Sequence, residues 1–389
     1  MYLSKEEERI YDGEAGWAKE ISIKILVKLG EIFDAERLIP IESAHISGVS
    51  YKTAGDAAID FLKSLVNAGG KVCVPSTLNP SSFDEKLKRL WRVPREYAEK
   101  QNTIIKLYEN LGVNLTLTCT PYYIKRPRSR CHVAWAESSA IVYANSILNV
   151  YTNREGAPSA LASAIIGKTP DYGLHRDENR RPNIQIIVDF KIKREDELGA
   201  LGFHVGRLSK NFIPAIHGIE KLKEYELKLF GAAMAAGGMT PMFHVGYAKN
   251  NVERIHVGRE EVNDVIERLS HEENEIDAVF IGCPHCSSLE LNYIANMISG
   301  KKIKPDIKFI VCTSRFIAEK SREAVKVIKK AGGWVVCDTC LVVAYIEGLK
   351  IHSVLTNSVK AAYYLPSLGN VRVSLADMER CVKFAVGLT

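Results

Sequence analysis

The chain has 389 residues, 46% of them apolar and 25% charged, with a formal net charge of +6; this is the profile of a globular protein large enough for two or three cores. No apolar run reaches the roughly 18 residues that a bilayer span needs, and the opening "MYLSKEEERIYDGEAG" lacks a basic-then-apolar leader, so a cytoplasmic location with no membrane partner is expected. Nine cysteines are too sparse for a disulfide scaffold and odd in number, and clustered thiols in a reducing compartment point to metal or catalysis.

In chain order, residues 5–31 read as mainly helical, with Ile21, Ile25, Leu26 and Leu29 on one face. A polar loop then leads to a helix over about 54–66, a strand at "KVCVPS" and a loop at "TLNPSSFD". A helix over about 94–111 precedes a strand at "VNLTLTC" and a second polar loop, "TPYYIKRPRSR". "HVAWAESSAIVYANSIL" has the pattern of a helix carrying polar residues in an apolar frame. "YTNREGAPSALASAIIG" reads as a loop and helix, and "NIQIIVDFKI" as a strand. From 275 onward "IDAVFIG", "IKFIVC" and "GWVVCD" are β-branched runs between helical segments, the pattern of parallel strands with crossovers. Pattern changes near 155 and 272 suggest an N-terminal lobe (1–155), a middle lobe (156–272) and a C-terminal lobe (273–389), all α/β.

The three late strands end at Cys283, Cys312 and Cys337, on the edge where open α/β sheets hold ligands. "CPHC" forms a tight turn before a helix that Ser287 and Glu290 cap as a capping box. "CPHC" and "CDTC", fifty residues apart, allow a structural zinc site or a thioredoxin-like dithiol. A third reading takes one thiol from each of three loops, Cys119, Cys283 and Cys340. Three thiolates hold a cubane cluster and leave one iron open as a Lewis acid. Cys286, Cys312 and Cys337 are possible substitutes, and Cys73, Cys131 and Cys381 are expected to pack as small hydrophobes.

"SAHISG", "TLNPSS", "CTPYY", "WAESSA", "TNREGAPSALA", "YGLH", "GCPH", "CDTC" and "TNSVKAAYY" together make the chain resemble the large subunit of the aconitase X family over nearly its whole length. The resemblance implies an aconitase-like, multi-lobed α/β arrangement of parallel and mixed sheets flanked by helices, with the small swivelling domain on a separate subunit. It implies an iron–sulfur hydro-lyase, with a [4Fe-4S] cluster having one open iron, that dehydrates mevalonate 5-phosphate to trans-anhydromevalonate 5-phosphate. The alternative is a dehydratase of hydroxyproline or another small hydroxy acid. It also implies Cys119, Cys283 and Cys340 as cluster ligands, with Cys337 the competitor for Cys340, and His285 beside Cys283 to orient or contact what the iron binds. The base, a serine in aconitase-like enzymes, belongs to the swivelling domain.

Loop polarity and these motifs make His45, Glu137 and His175 candidate catalytic groups. Asn79, Ser81, Ser82, Ser138, Ser139, Asn153, Arg154, Glu155, Asn357, Ser358 and Lys360 are candidate substrate contacts. A buried Glu137 needs a donor or a ligand, Arg154 being the obvious structural partner. Lys125, Arg126, Arg128 and Arg130 fall within six residues and suit a phosphate dianion, although a solvated loop looks the same. A zinc- or cluster-containing RNA-binding protein is the non-enzymatic alternative, but no aromatic-interleaved basic platform supports nucleic acid as a partner.

Overall fold

The computed structural model describes residues 1–209, 212–249, 251–271 and 275–388; the expected boundary at 272/273 lies outside them. Two compact units divide the chain, 1–82 with 94–181, and 83–93 with 182–389. Among the described residues, no helix is long and apolar enough to cross a membrane.

In the first unit the expected N-terminal helix is two, α1 (Lys5–Tyr11) and α2 (Trp17–Ile32). Between them Gly13 and Gly16 take positive φ. The strands β1 (Leu38–Pro40) and β5 (Lys168–Pro170), far apart in sequence, form an antiparallel pair. A three-stranded parallel sheet has β2 (Ala44–Ile46) at its centre, with β3 (Ser76–Leu78) and β4 (Ala134–Trp135) on either side. Around it lie α3 (Tyr51–Asn67), α4 (Arg95–Asn110), α5 (Ser138–Ser146) and α6 (Ala157–Ile166). Ile46, Leu78 and Ala134 pack from the sheet against Leu62, Ile104 and Ile165.

Two expected strands are not regular strands. Val72 and Cys73 donate to the Leu111 and Ala164 carbonyls, which are not strand partners. Pro75 has no N–H to offer, and pairing begins only at Ser76. "VNLTLTC" runs beside β3 through one bridge, Asn114 with Thr77, and through the Thr116 hydroxyl. The long helix expected over 132–148 starts only at Ser138, because His132–Ala136 supplies β4 and Glu137 caps α5.

The second unit holds two parallel sheets. One has the order β8-β7-β6-β9, from β6 (Ile184–Val188), β7 (Pro214–His217), β8 (His244–Val245) and β9 (Glu253–Val257). It is joined by α7 (Glu195–Ser209), α8 (Glu224–Gly237) and α9 (Arg259–Leu269). α7 and α8 touch backbone to backbone: a Cβ on Gly206 would stand 2.2 Å from the Met234 carbonyl oxygen.

The other sheet, β12-β11-β10-β13-β14, confirms the expected parallel pattern. Its strands are β10 (Ala278–Cys286), β11 (Lys308–Thr313), β12 (Trp334–Val336), β13 (Ser353–Thr356) and β14 (Arg372–Leu375). The helices are α10 (Ser288–Ile298), α11 (Arg315–Lys320), α12 (Arg322–Lys330), α13 (Val359–Gly369) and α14 (Met378–Ala385). Every residue of β10 is buried, as a central parallel strand requires.

"CPHC" is not a turn after the strand but an excursion within it. Ile281 pairs with Val311 and Cys286 with Thr313, so β10 advances five residues while β11 advances two. The surplus arches off the ladder, starting at Gly282 with φ 113°. A Cβ there would lie 2.3 Å from the Cys312 carbonyl oxygen, so only glycine fits. Gly282→Ala is expected to cost at least about 3 kcal/mol through backbone strain and overpacking, read as a lowered urea midpoint by circular dichroism.

Candidate functional site

In the first unit the candidates gather at the carboxyl edge of the three-stranded sheet. His45, on the central strand, is fully buried, and its Nδ1 lies 2.8 Å from Thr77 Oγ1. Thr77 Oγ1 also lies 3.3 Å from the Ala44 carbonyl oxygen. Nε2, beside the Asn79 side chain and the Thr118 backbone, makes no hydrogen bond of good geometry, and neither does buried Asn79 Oδ1. Burial lowers the His45 pKa to about 4 against the opposing pull of Glu137, so the ring is neutral near pH 7. Buried polar atoms left in this state are costly and mark a place where a ligand completes the bonding.

Glu137 solves its own burial locally. Its carboxylate accepts from Ala140 N at 2.7 Å and Ser139 Oγ at 2.6 Å, capping α5, with Ser138 as the first helical residue. Cys119, buried, lies near Tyr122, whose ring stacks on Tyr143 at 3.8 Å and whose hydroxyl also feels Glu137. Ser82 is committed to structure: its hydroxyl meets Ser50 Oγ at 2.9 Å and Gln101 Oε1. Ser81 is buried beside it.

His175 belongs to a different cluster. Its Nδ1 faces His132 Nδ1 at 3.0 Å, its Nε2 is buried without a hydrogen bond, and burial lowers its pKa to about 3. Asn153 spends both ends of its amide on this turn, accepting from Leu174 N at 2.8 Å and donating to the Tyr172 carbonyl at 3.0 Å. Glu155 is buried, accepts from Thr169 Oγ1 at 3.3 Å and leaves Oε2 without a hydrogen bond, its pKa raised by burial. Arg154 is half-buried between them. Of the four loop cations, Arg128 pairs with Glu42 at 2.7 Å and Arg130 with Asp177 at 3.2 Å, both exposed; Lys125 and Arg126 are exposed on the same loop.

In the second unit, three carbonyls of the Cys283–Cys286 arch are each held from a different element. Ser358 Oγ, the cap of α13, donates to the Cys283 carbonyl. Lys228 Nζ donates to the His285 carbonyl at 3.2 Å, and Thr313 Oγ1 to that of Cys286 at 2.6 Å. His285 itself, fully buried, reaches the Thr339 carbonyl at 3.0 Å. A carbonyl only accepts, so His285 carries its proton on Nε2. Its ring thus ties the arch to "CDTC", a structural role distinct from the iron-facing one expected for it.

The "CDTC" loop is held from below. Asp338 has φ 64° and pairs with Arg315, which also reaches Asp84 at 3.4 Å; Asp84 accepts from Cys337 N at 2.9 Å. Asn357 donates to Glu195 Oε2 at 3.0 Å. Neither Lys228, Asp84 nor Arg315 was singled out from the sequence. Glu290 was visible only as a cap, since nothing local signals a partner 62 residues away.

Cys283, Cys286, Cys312, Cys337 and Cys340 are all buried and near one another at this edge. Burial, and then Cys283, push the Cys340 thiol up to about 12, while Lys360 works in the opposite sense. Paired buried thiols of this kind are stable as thiolates only beside a cation, and a soft sulfur donor set fits zinc or iron–sulfur. Cys119 lies in the first unit, and among the described residues no three Cys, His, Asp or Glu side chains stand together as a metal-holding group. Cys73 corrects an expectation: it is exposed, because its segment is extended chain with Cys73 on the solvent side. Cys381 is buried as expected, and Cys131 is half-buried.

The buried neutral His45 makes a pH prediction. Between pH 6.5 and 4 the unfolded chain binds a proton there that the folded one refuses, so stability falls as pH falls through that window. His45→Gln should shrink the stability difference between pH 7 and pH 4.5 by roughly 2–3 kcal/mol, measured by urea unfolding at the two pH values.

The sequence matches three family models: the aconitase X first domain over residues 1–178, the second over 182–280 and the third over 276–387. It is 44% identical to the phosphomevalonate dehydratase large subunit of Methanocaldococcus jannaschii, covering 98% of this chain and all of that protein. Identity to the cis-3-hydroxy-L-proline dehydratase of Pseudomonas aeruginosa is 31%, covering 98% of this chain but 69% of that protein. The crystal structure of Thermococcus kodakaraensis aconitase X in its holo-form superposes with a TM-score of 0.92 at 41% identity, over 99% of this chain and all of that one. With domain models spanning nearly all its residues and a fold shared from end to end, the chain belongs to the aconitase X family.

Proposed function

We propose that this chain is the large subunit of an iron–sulfur hydro-lyase that removes water from mevalonate 5-phosphate to give trans-anhydromevalonate 5-phosphate, working with a separate small subunit. The observation that carries the reading is the pair of buried thiols, Cys283 and Cys340, on two loops that His285 ties together. Full-length similarity to proteins named phosphomevalonate dehydratase large subunit supports the substrate and the subunit division.

Dehydration of a β-hydroxy acid takes a proton from the carbon next to the carboxylate and expels hydroxide from the adjacent carbon. When bound, a [4Fe-4S] cluster with one open iron supplies a Lewis acid for the departing hydroxyl. Cys283 and Cys340, on the two loops of the second unit, would help to hold it. Neutral His45 offers its Nε2, with Asn79 Oδ1 beside it, as a hydrogen-bonding edge for a substrate hydroxyl. Lys360, near Cys340, brings positive charge for a substrate carboxylate. Lys125, exposed on the same loop as Arg128 and Arg130, is a phosphate candidate, whereas those two pair with carboxylates. The proton is taken by a base on the small subunit, so the large chain alone turns over poorly.

The test is iron and acid-labile sulfide content of protein purified without oxygen, with an anaerobic assay of mevalonate 5-phosphate alongside a small subunit. Iron and sulfide in near-equal amounts are expected. Cys283→Ala or Cys340→Ala should lower iron retention by more than the roughly 10–100-fold typical of residues that merely orient ligands; Cys73→Ala should leave it unchanged. Zinc without sulfide overturns the cluster, and turnover of cis-3-hydroxyproline in place of mevalonate 5-phosphate overturns the substrate.

A further inference from the structure

Lys228 and Glu290 form an ion pair whose side chains are 1% and 5% exposed. Lys228 Nζ lies 2.6 Å from Glu290 Oε2 and 2.9 Å from Oε1, and 3.2 Å from the His285 carbonyl oxygen. Glu290 Oε2 also accepts from Ser287 N at 2.8 Å and Ser287 Oγ at 2.7 Å. The pair therefore grips the chain on both sides of Cys286, three residues beyond Cys283.

Burying an ammonium and a carboxylate costs more in lost hydration than their attraction usually returns, and apolar or neutral replacements of similar size are often as stable or more so. Stability therefore gives a weak account of this pair. A capping box for α10 needs only an acceptor at Glu290, not a buried lysine from α8. What the ammonium adds is a charged donor to the His285 carbonyl, a group that has left the β10 ladder.

We propose that Lys228 and Glu290 are positioning residues that fix the conformation of the Cys283 arch so that its thiolate is aimed as a metal ligand. This rests on the reading of Cys283 as an iron–sulfur ligand. Lys228 is held in turn by the close α7–α8 packing, so the arch is referenced to a rigid helix and not only to its own strand.

The test uses the full chain with Lys228→Met/Glu290→Gln, which removes both charges, keeps an acceptor for Ser287 and leaves no uncompensated buried charge. Circular dichroism and melting temperature should match the wild type. Iron release to a ferrous chelator should accelerate at least about tenfold, with altered electron paramagnetic resonance of the dithionite-reduced cluster; Lys228→Arg alone, which keeps the ion pair, should retain slow release. Hydrogen exchange of residues 281–288 in the metal-free chain, by mass spectrometry, should also speed at least about tenfold while the rest of β10 and β11 stays protected. A folded double variant with wild-type iron release, spectrum and exchange overturns the proposal. Wild-type protein without iron and sulfide sinks the cluster reading instead, and faster exchange at 281–288 in the double variant would still establish the grip on the arch.

Discussion

A sheet whose five strands all run parallel delivers every carboxyl end to one edge, and in the second unit that edge receives Cys283, Cys312 and the "CDTC" loop together. Such a sheet is buried on both faces, so whatever leaves the strand ends must satisfy its backbone without water. The Cys283–Cys286 arch does so by borrowing donors from three directions, Ser358 on α13, Lys228 on α8 and Thr313 on β11. Its surplus residues depend on Gly282, the position where β10 comes within contact of the Cys312 backbone.

The two units manage buried polar groups in opposite ways. Around the arch and the "CDTC" loop, polar groups are tied by side-chain donors or ion pairs, and the result is a stiff pair of loops. At the edge of the three-stranded sheet, His45 Nε2 and Asn79 Oδ1 are buried without hydrogen bonds of good geometry. Stiff thiol-bearing loops suit a resident inorganic group, which needs fixed ligands. Bare acceptors next to a neutral imidazole suit a small polar molecule that comes and goes.

Several sequence-level expectations failed for one reason. "KVCVPS" and "VNLTLTC" have the composition of strands, yet Val72 and Cys73 donate to the Leu111 and Ala164 carbonyls, and the Leu78 N–H of β3 meets Thr116 Oγ1 instead of a backbone carbonyl. Composition reports what a segment tolerates, whereas a strand exists only if a neighbour offers a matching ladder. The same holds for His285: its place beside Cys283 was plain, but its bond to the Thr339 carbonyl joins loops 54 residues apart. Among the candidate contacts, Asn153 and Ser82 have the polarity of ligand groups and are spent on holding turns and helices.

By itself the sequence determined the class of fold, the parallel C-terminal sheet, the cap at Ser287–Glu290 and the family, because β-branched periodicity, capping residues and contiguous motifs are local and survive in one dimension. Only the tertiary structure decided that "CPHC" is an arch within β10, that Glu290 answers to Lys228, that Arg315 anchors Asp338 and that His45 is neutral. Each of these depends on burial and on partners far away in sequence, and desolvation, which sets both the charge state of a group and the need for its partner, acts only once the chain has packed.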